Sequence, residues 1–201
     1  MHWYATPIQW PIQGELNSVM EIKPLKLDGT YEIILTPRND DRGYFMRVYD
    51  EEIMRQHGLK TFWVQENQSL SKKRGVIRGL HFQKPPYAET KLVRVAAGAV
   101  FDVMVDLRRN SNTYGQWDAL ELSAENQRVV YIPKGFAHGF CTLAENTLVL
   151  YKVDAFYMPE YEDGLRWDDE ILGVQWPVAK PYLSDKDANW GSFRNFISPF
   201  F

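Results

Sequence analysis

Nine short runs of β-branched, aromatic and aliphatic residues recur about every ten positions along the chain, at 31–35, 62–67, 76–83, 91–96, 99–106, 117–122, 127–132, 139–143 and 147–153. Each is bounded by Gly, Pro, Asn or Asp, with turns such as Ala97-Gly98 and Pro133-Lys134-Gly135 between them. Short strands at this rhythm predict an all-β sandwich or barrel rather than a helix-and-strand alternation. Only Glu51 to Gln56 reads as a helix, with Asp50 placed to cap it and Gly58 to end it. A chain of 201 residues has room for one such domain. We read residues 1–20 as an N-terminal extension or arm, because Trp3, Tyr4 and Trp10 suit packing on the domain or on a partner subunit. Residues 21–201 read as a single domain, and the aromatic, turn-rich tail beyond Pro159 is expected to wrap over the barrel mouth.

Charge narrows the partners. With 23 basic and 26 acidic residues the net charge is −3, which disfavours nucleic-acid binding over a broad basic surface yet permits a small basic pocket for a phosphorylated ligand. The single cysteine, Cys141, excludes an internal disulfide and any multi-cysteine metal site, and it points to a reducing, cytoplasmic setting. No run of 18 apolar residues occurs, so no bilayer span and no membrane partner is expected. The first nineteen residues do not read as a secretory signal.

Among four histidines, His2 and His57 suit solvated or packing roles. His81 closes Gly75-Val76-Ile77-Arg78-Gly79-Leu80-His81, and His138 closes Pro133-Lys134-Gly135-Phe136-Ala137-His138, just past a turn. Either alone reads as a hydrogen-bonded core or rim histidine. Together, G-x5-H and, some fifty residues later, P-x-G-x2-H resemble the two signatures of the cupin superfamily, which implies a double-stranded β-helix, or jelly-roll barrel. Metal-binding cupins carry a further His and a Glu in the first signature. Here Gln83 stands at the His position and Glu89 is the nearby carboxylate, too thin a ligand set for us to expect a metal.

Further blocks follow in order: Arg42-Gly43-Tyr44-Phe45, Gln65-Glu66-Asn67, Arg78-Gly79-Leu80-His81-Phe82-Gln83, Lys91-Leu92-Val93-Arg94-Val95, Leu122-Ser123-Ala124-Glu125-Asn126, the run 132–140, Tyr151-Lys152 and Leu183-Ser184-Asp185-Lys186-Asp187. This series, spanning about 21–190, resembles the dTDP-4-dehydrorhamnose 3,5-epimerases. The resemblance implies a nucleotide-linked 4-keto-6-deoxyhexose as substrate, a homodimer, and no metal or organic cofactor. It implies His81 as base, Asp187 as the carboxylate orienting it, Lys91 as the cation at the ketone oxygen and Tyr151 as the acid on the opposite face. Taken alone, Asp187 reads as a surface charge, Lys91 as a strand-end lysine and Tyr151 as a core aromatic.

Arg42 and Arg78 match diphosphate contacts, a role suited to the guanidinium fork. Gln65, Asn67 and His138 match further pocket positions, with buried polar groups that satisfy backbone as the alternative. Phe45 and Tyr157 complete the substrate-contact set. Arg78 and His81 have opposite parity on a regular strand, and Gly79 between them permits a bulge that turns both toward one pocket. Two departures from the family pattern bear on substrate. Arg47 replaces a glutamate that would accept the imide proton of thymine, so a CDP- or GDP-sugar, or inversion at one carbon only, stays open. Phe156 replaces the first of two adjacent tyrosines. A metal-dependent cupin and a non-catalytic sugar-binding cupin are the remaining alternatives.

Overall fold

Alternating apolar and polar residues fold the expected runs into two antiparallel sheets laid face to face in a computed structural model, which describes residues 19–201. One sheet has the order β1 (Met20–Pro24), β2 (Tyr31–Leu35), β10 (Arg128–Ile132), β7 (Lys91–Ala97), β12 (Thr147–Val153) and β5 (Gln65–Ser71). The other runs β13 (Glu162–Gly164), β6 (Ile77–Gln83), β11 (Phe136–Thr142), β8 (Ala99–Asp106) and β9 (Trp117–Ser123). A separate hairpin pairs β3 (Arg38–Asp40) with β4 (Gly43–Phe45). The expected arm lies outside the described residues except at its end, where Met20 already belongs to β1.

Three apolar layers hold this arrangement. Between the sheets pack Val93, Val100, Met104, Leu122, Val130, Ile132, Phe140 and Val149. On the outer face of the six-stranded sheet, the helix α1 (Glu51–Gln56) lays Ile53 and Met54 over Ile33, Leu92 and Val129. Six residues are too few for an isolated helix. Burial of such side chains, about 1.5–3 kcal/mol each, fixes α1 in place, while the Asp50 carboxylate accepts from the Glu52 and Ile53 N–H groups to cap it.

The C-terminal tail departs from expectation. Leu165, Leu172, Trp176, Phe193, Phe196 and Phe200 cover Leu80, Phe82, Val103 and Val105 on the outer face of the five-stranded sheet. That face of β6, β8 and β11 is apolar and needs a cover, so most of the tail spreads there, while Glu162 on β13 and the short helix α2 (Asp185–Ala188) with its flanks reach the cleft. Two boundaries also differ. β11 starts at Phe136, which puts His138 inside a strand, because Phe136 and Ala137 are buried and the turn tightens onto Gly135 at φ +91°. β5 starts at Gln65, since Phe62 points into solvent.

Candidate active site

Strand pairing decides which side chains share the space between the sheets. Directly opposed residues of an antiparallel pair face the same side. Tyr151 on β12 lies opposite Asn67 on β5 and Val93 on β7, and Val153 lies opposite Gln65 and Lys91. Gln65, Asn67, Lys91 and Tyr151 therefore project inward from one wall. Glu66 and Lys152, opposed one step away, pair on the outer side at 2.9 Å.

The other wall supplies histidines. His81 on β6 is opposite His138 on β11, whereas Arg78 is opposite Phe140, so β6 carries one residue more than β11 between these pairings. The extra residue is the bulge that Gly79 allows, and it turns Arg78 and His81 to the same side. Two adjoining cavities of about 390 and 290 Å³ share His81, Lys91 and Tyr151 and form one cleft. The larger adds Gln65, Asn67, Glu89, Tyr157 and Glu162, and the smaller adds Arg78, His138, Lys186 and Asp187. One end of the cleft is thus rich in hydrogen-bond acceptors and the other in cationic donors.

Each inward histidine is held by its own carboxylate. The Asp187 Oδ1 lies 2.5 Å from His81 Nε2, and its Oδ2 accepts from the Ser184 hydroxyl at 2.7 Å. Burial alone would raise the Asp187 carboxyl, but hydrogen bonds from His81, Ser184 and the Gly79 N–H outweigh it and hold the group below the usual carboxylate range. The Trp190 and His81 rings meet edge to face, 5.9 Å between centroids. His138 Nε2 is bonded to both oxygens of the fully buried Asp102 at 3.0 and 2.9 Å.

Lys91 Nζ lies 3.2 Å from Glu89 Oε1. The Tyr157 hydroxyl donates to Glu162 Oε2 at 2.6 Å, and that bond pushes the phenol up to about 12. Glu162 is also paired with Lys186 at 2.5 Å. Gln83, at the position of a metal-cupin histidine, is buried and donates to the Tyr87 and Phe156 carbonyls and to Glu89, while its oxygen accepts from the Met158 N–H. Among the described residues, no group of three or more His, Cys, Asp or Glu side chains is placed to share a metal ion.

Arg42, Phe45 and Arg47 are not brought to the cleft of the same chain. The first two sit on the β3–β4 hairpin, outside both main sheets, with Arg42 89% exposed and bonded to Asp40, and Phe45 69% exposed. Arg47 is ion-paired with Asp50 at 2.9 Å. Sequence reasoning gave no role to Asp102, Glu162, Ser184, Lys186 or Trp190. Asp102 did carry a signal: it shares parity with Val100 and Met104 in a core strand, where a charge requires a partner.

Two facing antiparallel sheets with histidines on the inner wall define a cupin-type jelly roll. Comparison with known proteins then narrows the class. The chain belongs to the dTDP-4-dehydrorhamnose 3,5-epimerase family, whose model matches residues 24–195. A dTDP-4-dehydrorhamnose 3,5-epimerase of Methanothermobacter thermautotrophicus is 49% identical over 173 residues, covering 84% of this chain and 91% of its own. The crystal structure of the Bacillus anthracis enzyme with TDP and pyrophosphate bound superposes with a TM-score of 0.84 at 44% identity, over 87% of this chain and 100% of that one. A Legionella pneumophila dTDP-6-deoxy-D-glucose-3,5-epimerase in complex with dTDP-4-keto-L-rhamnose gives 0.84 at 38% identity, over 89% and 95%.

Proposed function

We propose that the protein inverts C3 and C5 of a dTDP-linked 4-keto-6-deoxyhexose, with His81 as base and Tyr151 as acid. The observation that carries this reading is that the two side chains line one cleft from opposite sheets. Inversion requires a proton to leave one face of a carbon and return to the other. A hydrogen next to a ketone is weakly acidic because the electron pair left behind moves onto the ketone oxygen. With Nε2 bonded to Asp187, His81 keeps its lone pair on Nδ1 and takes that proton as a general base, a contribution of roughly 10² to 10⁴ in rate. The ammonium of Lys91 meets the charge developing on oxygen, worth about 3 kcal/mol. The Tyr151 hydroxyl then donates its proton to the opposite face of the carbon.

The end of the cleft with the Arg78 guanidinium and with His138 suits the diphosphate, and the end with Gln65, Asn67 and Tyr157 suits the sugar hydroxyls. The dTDP-4-keto-L-rhamnose in the Legionella relative supports the nucleotide and the sugar class. A homodimer is part of the proposal: the exposed hairpin with Tyr44 and Phe45 is an apolar projection that a second subunit can cover. In that dimer Arg42 and Phe45 reach the partner's cleft. Residues 21–201, with Met20 already paired into β1, act as one catalytic domain. A charged nucleotide sugar does not cross membranes unaided, which favours a cytoplasmic setting, and among the described residues no helix is long and apolar enough to cross one.

Exchange in deuterated water tests the reading. With dTDP-4-keto-6-deoxyglucose, wild type should incorporate deuterium at C3 and at C5, and His81→Asn should lose both while still binding dTDP. Exchange at either carbon near the wild-type rate in His81→Asn overturns the assignment.

A further inference from the structure

We infer that Glu89 is a positioning residue for the enolate-stabilising cation: it fixes the ammonium of Lys91 in the cleft. The inference rests on the role given above to Lys91. That lysine is 9% exposed, and its ion pair with Glu89 ties down a flexible four-carbon stem that could otherwise turn its charge toward solvent. Glu89 stands two residues before Lys91, just ahead of β7, and both side chains line the larger cavity. The residue between them is itself held, since the Thr90 N–H donates to Asp154 Oδ1 at 2.7 Å.

The carboxylate is anchored from behind. Its Oε2 accepts from the Gln83 amide at 3.1 Å, and the 3% exposed Gln83 is bonded to the backbone of Tyr87, Phe156 and Met158. Two backbone segments thereby locate one carboxylate, which locates one ammonium. One N–H of Lys91 points to Glu89 and two remain for the substrate oxygen. The negative charge of Glu89 offsets part of the field of Lys91, so retaining it makes sense only if placement of the cation outweighs that loss. Preorganised charge is what stabilises a developing oxyanion, because no reorganisation is then needed during reaction.

A double-mutant cycle tests this by separating action through Lys91 from any independent role. Glu89→Ala should lower kcat about 10- to 100-fold with KM within about threefold, the signature of an interaction made in the transition state. Glu89→Gln, whose amide oxygen can still accept from the ammonium, should recover most of kcat. In a Lys91→Met background, read by slow deuterium incorporation, Glu89→Ala should cause no further loss. Multiplying losses in the double variant, or a KM increase at unchanged kcat, overturns the inference. Where Lys91→Met is silent, the split between kcat and KM for Glu89→Ala decides, and where Glu89→Ala does not fold, Glu89→Gln and Glu89→Asp carry the same reading. Absence of exchange in wild type would instead overturn the proposed function, so the two failures are distinct.

Discussion

Arg78 and His81 open onto one cleft from the same strand, because β6 carries an extra residue relative to β11 between the pairings His81–His138 and Arg78–Phe140. Gly79 makes this possible. Its φ is +138°, and a Cβ there would lie 2.5 Å from Gly139 Cα and 2.9 Å from the His138 carbonyl oxygen. Both obstacles are backbone of the neighbouring strand and cannot turn aside. Gly79→Ala should therefore lower stability by about 3 kcal/mol or more, seen as a fall in the urea midpoint at unchanged slope. A midpoint equal to wild type would contradict the packing described.

Asp187 ties acid stability to the cleft. Its carboxyl titrates lower folded than unfolded, since the hydrogen bonds to it outweigh its burial. Below the ordinary aspartate pKa of about 3.9 the unfolded chain thus binds the proton more readily, so this stabilisation is present above that pH and is lost as pH falls through the folded value. Asp187→Asn should flatten that part of the stability-versus-pH curve and also depress exchange, because the His81 ring loses its charged anchor. An unchanged acid limb would mean that the bond to His81 does not persist in solution.

The strand pattern was legible because alternation and turn residues are local: the runs at 31–35, 99–106 and 147–153 coincide with β2, β8 and β12. Short edge elements such as β13 and β3–β4 escaped, since three residues carry no period. The His81–Asp187 pair spans 106 positions, and only the resemblance to known epimerases pointed to it. Asp102 was readable as a charge at core parity in β8. Glu162 was not, because what joins it to Tyr157 and Lys186 is tertiary geometry between turn-rich segments.

Tyr157 should resist alkali. Held by Glu162, its phenol is pushed up to about 12, so it stays protonated where ordinary phenols titrate, near pH 10. Near-ultraviolet phenolate titrations of wild type and Tyr157→Phe should superimpose through that range. In Glu162→Ala, which removes the acceptor, one additional phenolate should appear there, and its absence would show that Glu162 does not control Tyr157.

Arg47 bears on base preference. A guanidinium has only donors and cannot accept the thymine imide proton, but this one is engaged by Asp50, whose other oxygen caps α1. Arg47→Glu should set a carboxylate beside Asp50 and weaken the cap, lowering stability by about 1 kcal/mol or less given its partial exposure. Affinity for dTDP by calorimetry should stay as in wild type. Tighter dTDP binding by the variant would instead place residue 47 at the base.

Arg42 offers the sharpest test of the dimer. Its side chain is exposed on the β3–β4 hairpin and bonded only to Asp40 among the described residues, so within one chain it has no access to the cleft that Arg78 and His81 line. If the hairpin serves the partner's cleft, Arg42→Ala and His81→Asn homodimers should each be impaired, because every site lacks one of the two groups. Mixed, dissociated and reassembled, half of the dimers become hybrids, and each hybrid holds one site with both groups intact and one lacking both. Activity should then return to about a quarter of wild type, as expected for a two-fold assembly whose sites combine residues of both subunits. A mixture no more active than the mean of its parents, at a sedimentation coefficient showing that dimers have reformed, would assign Arg42 to its own chain's surface.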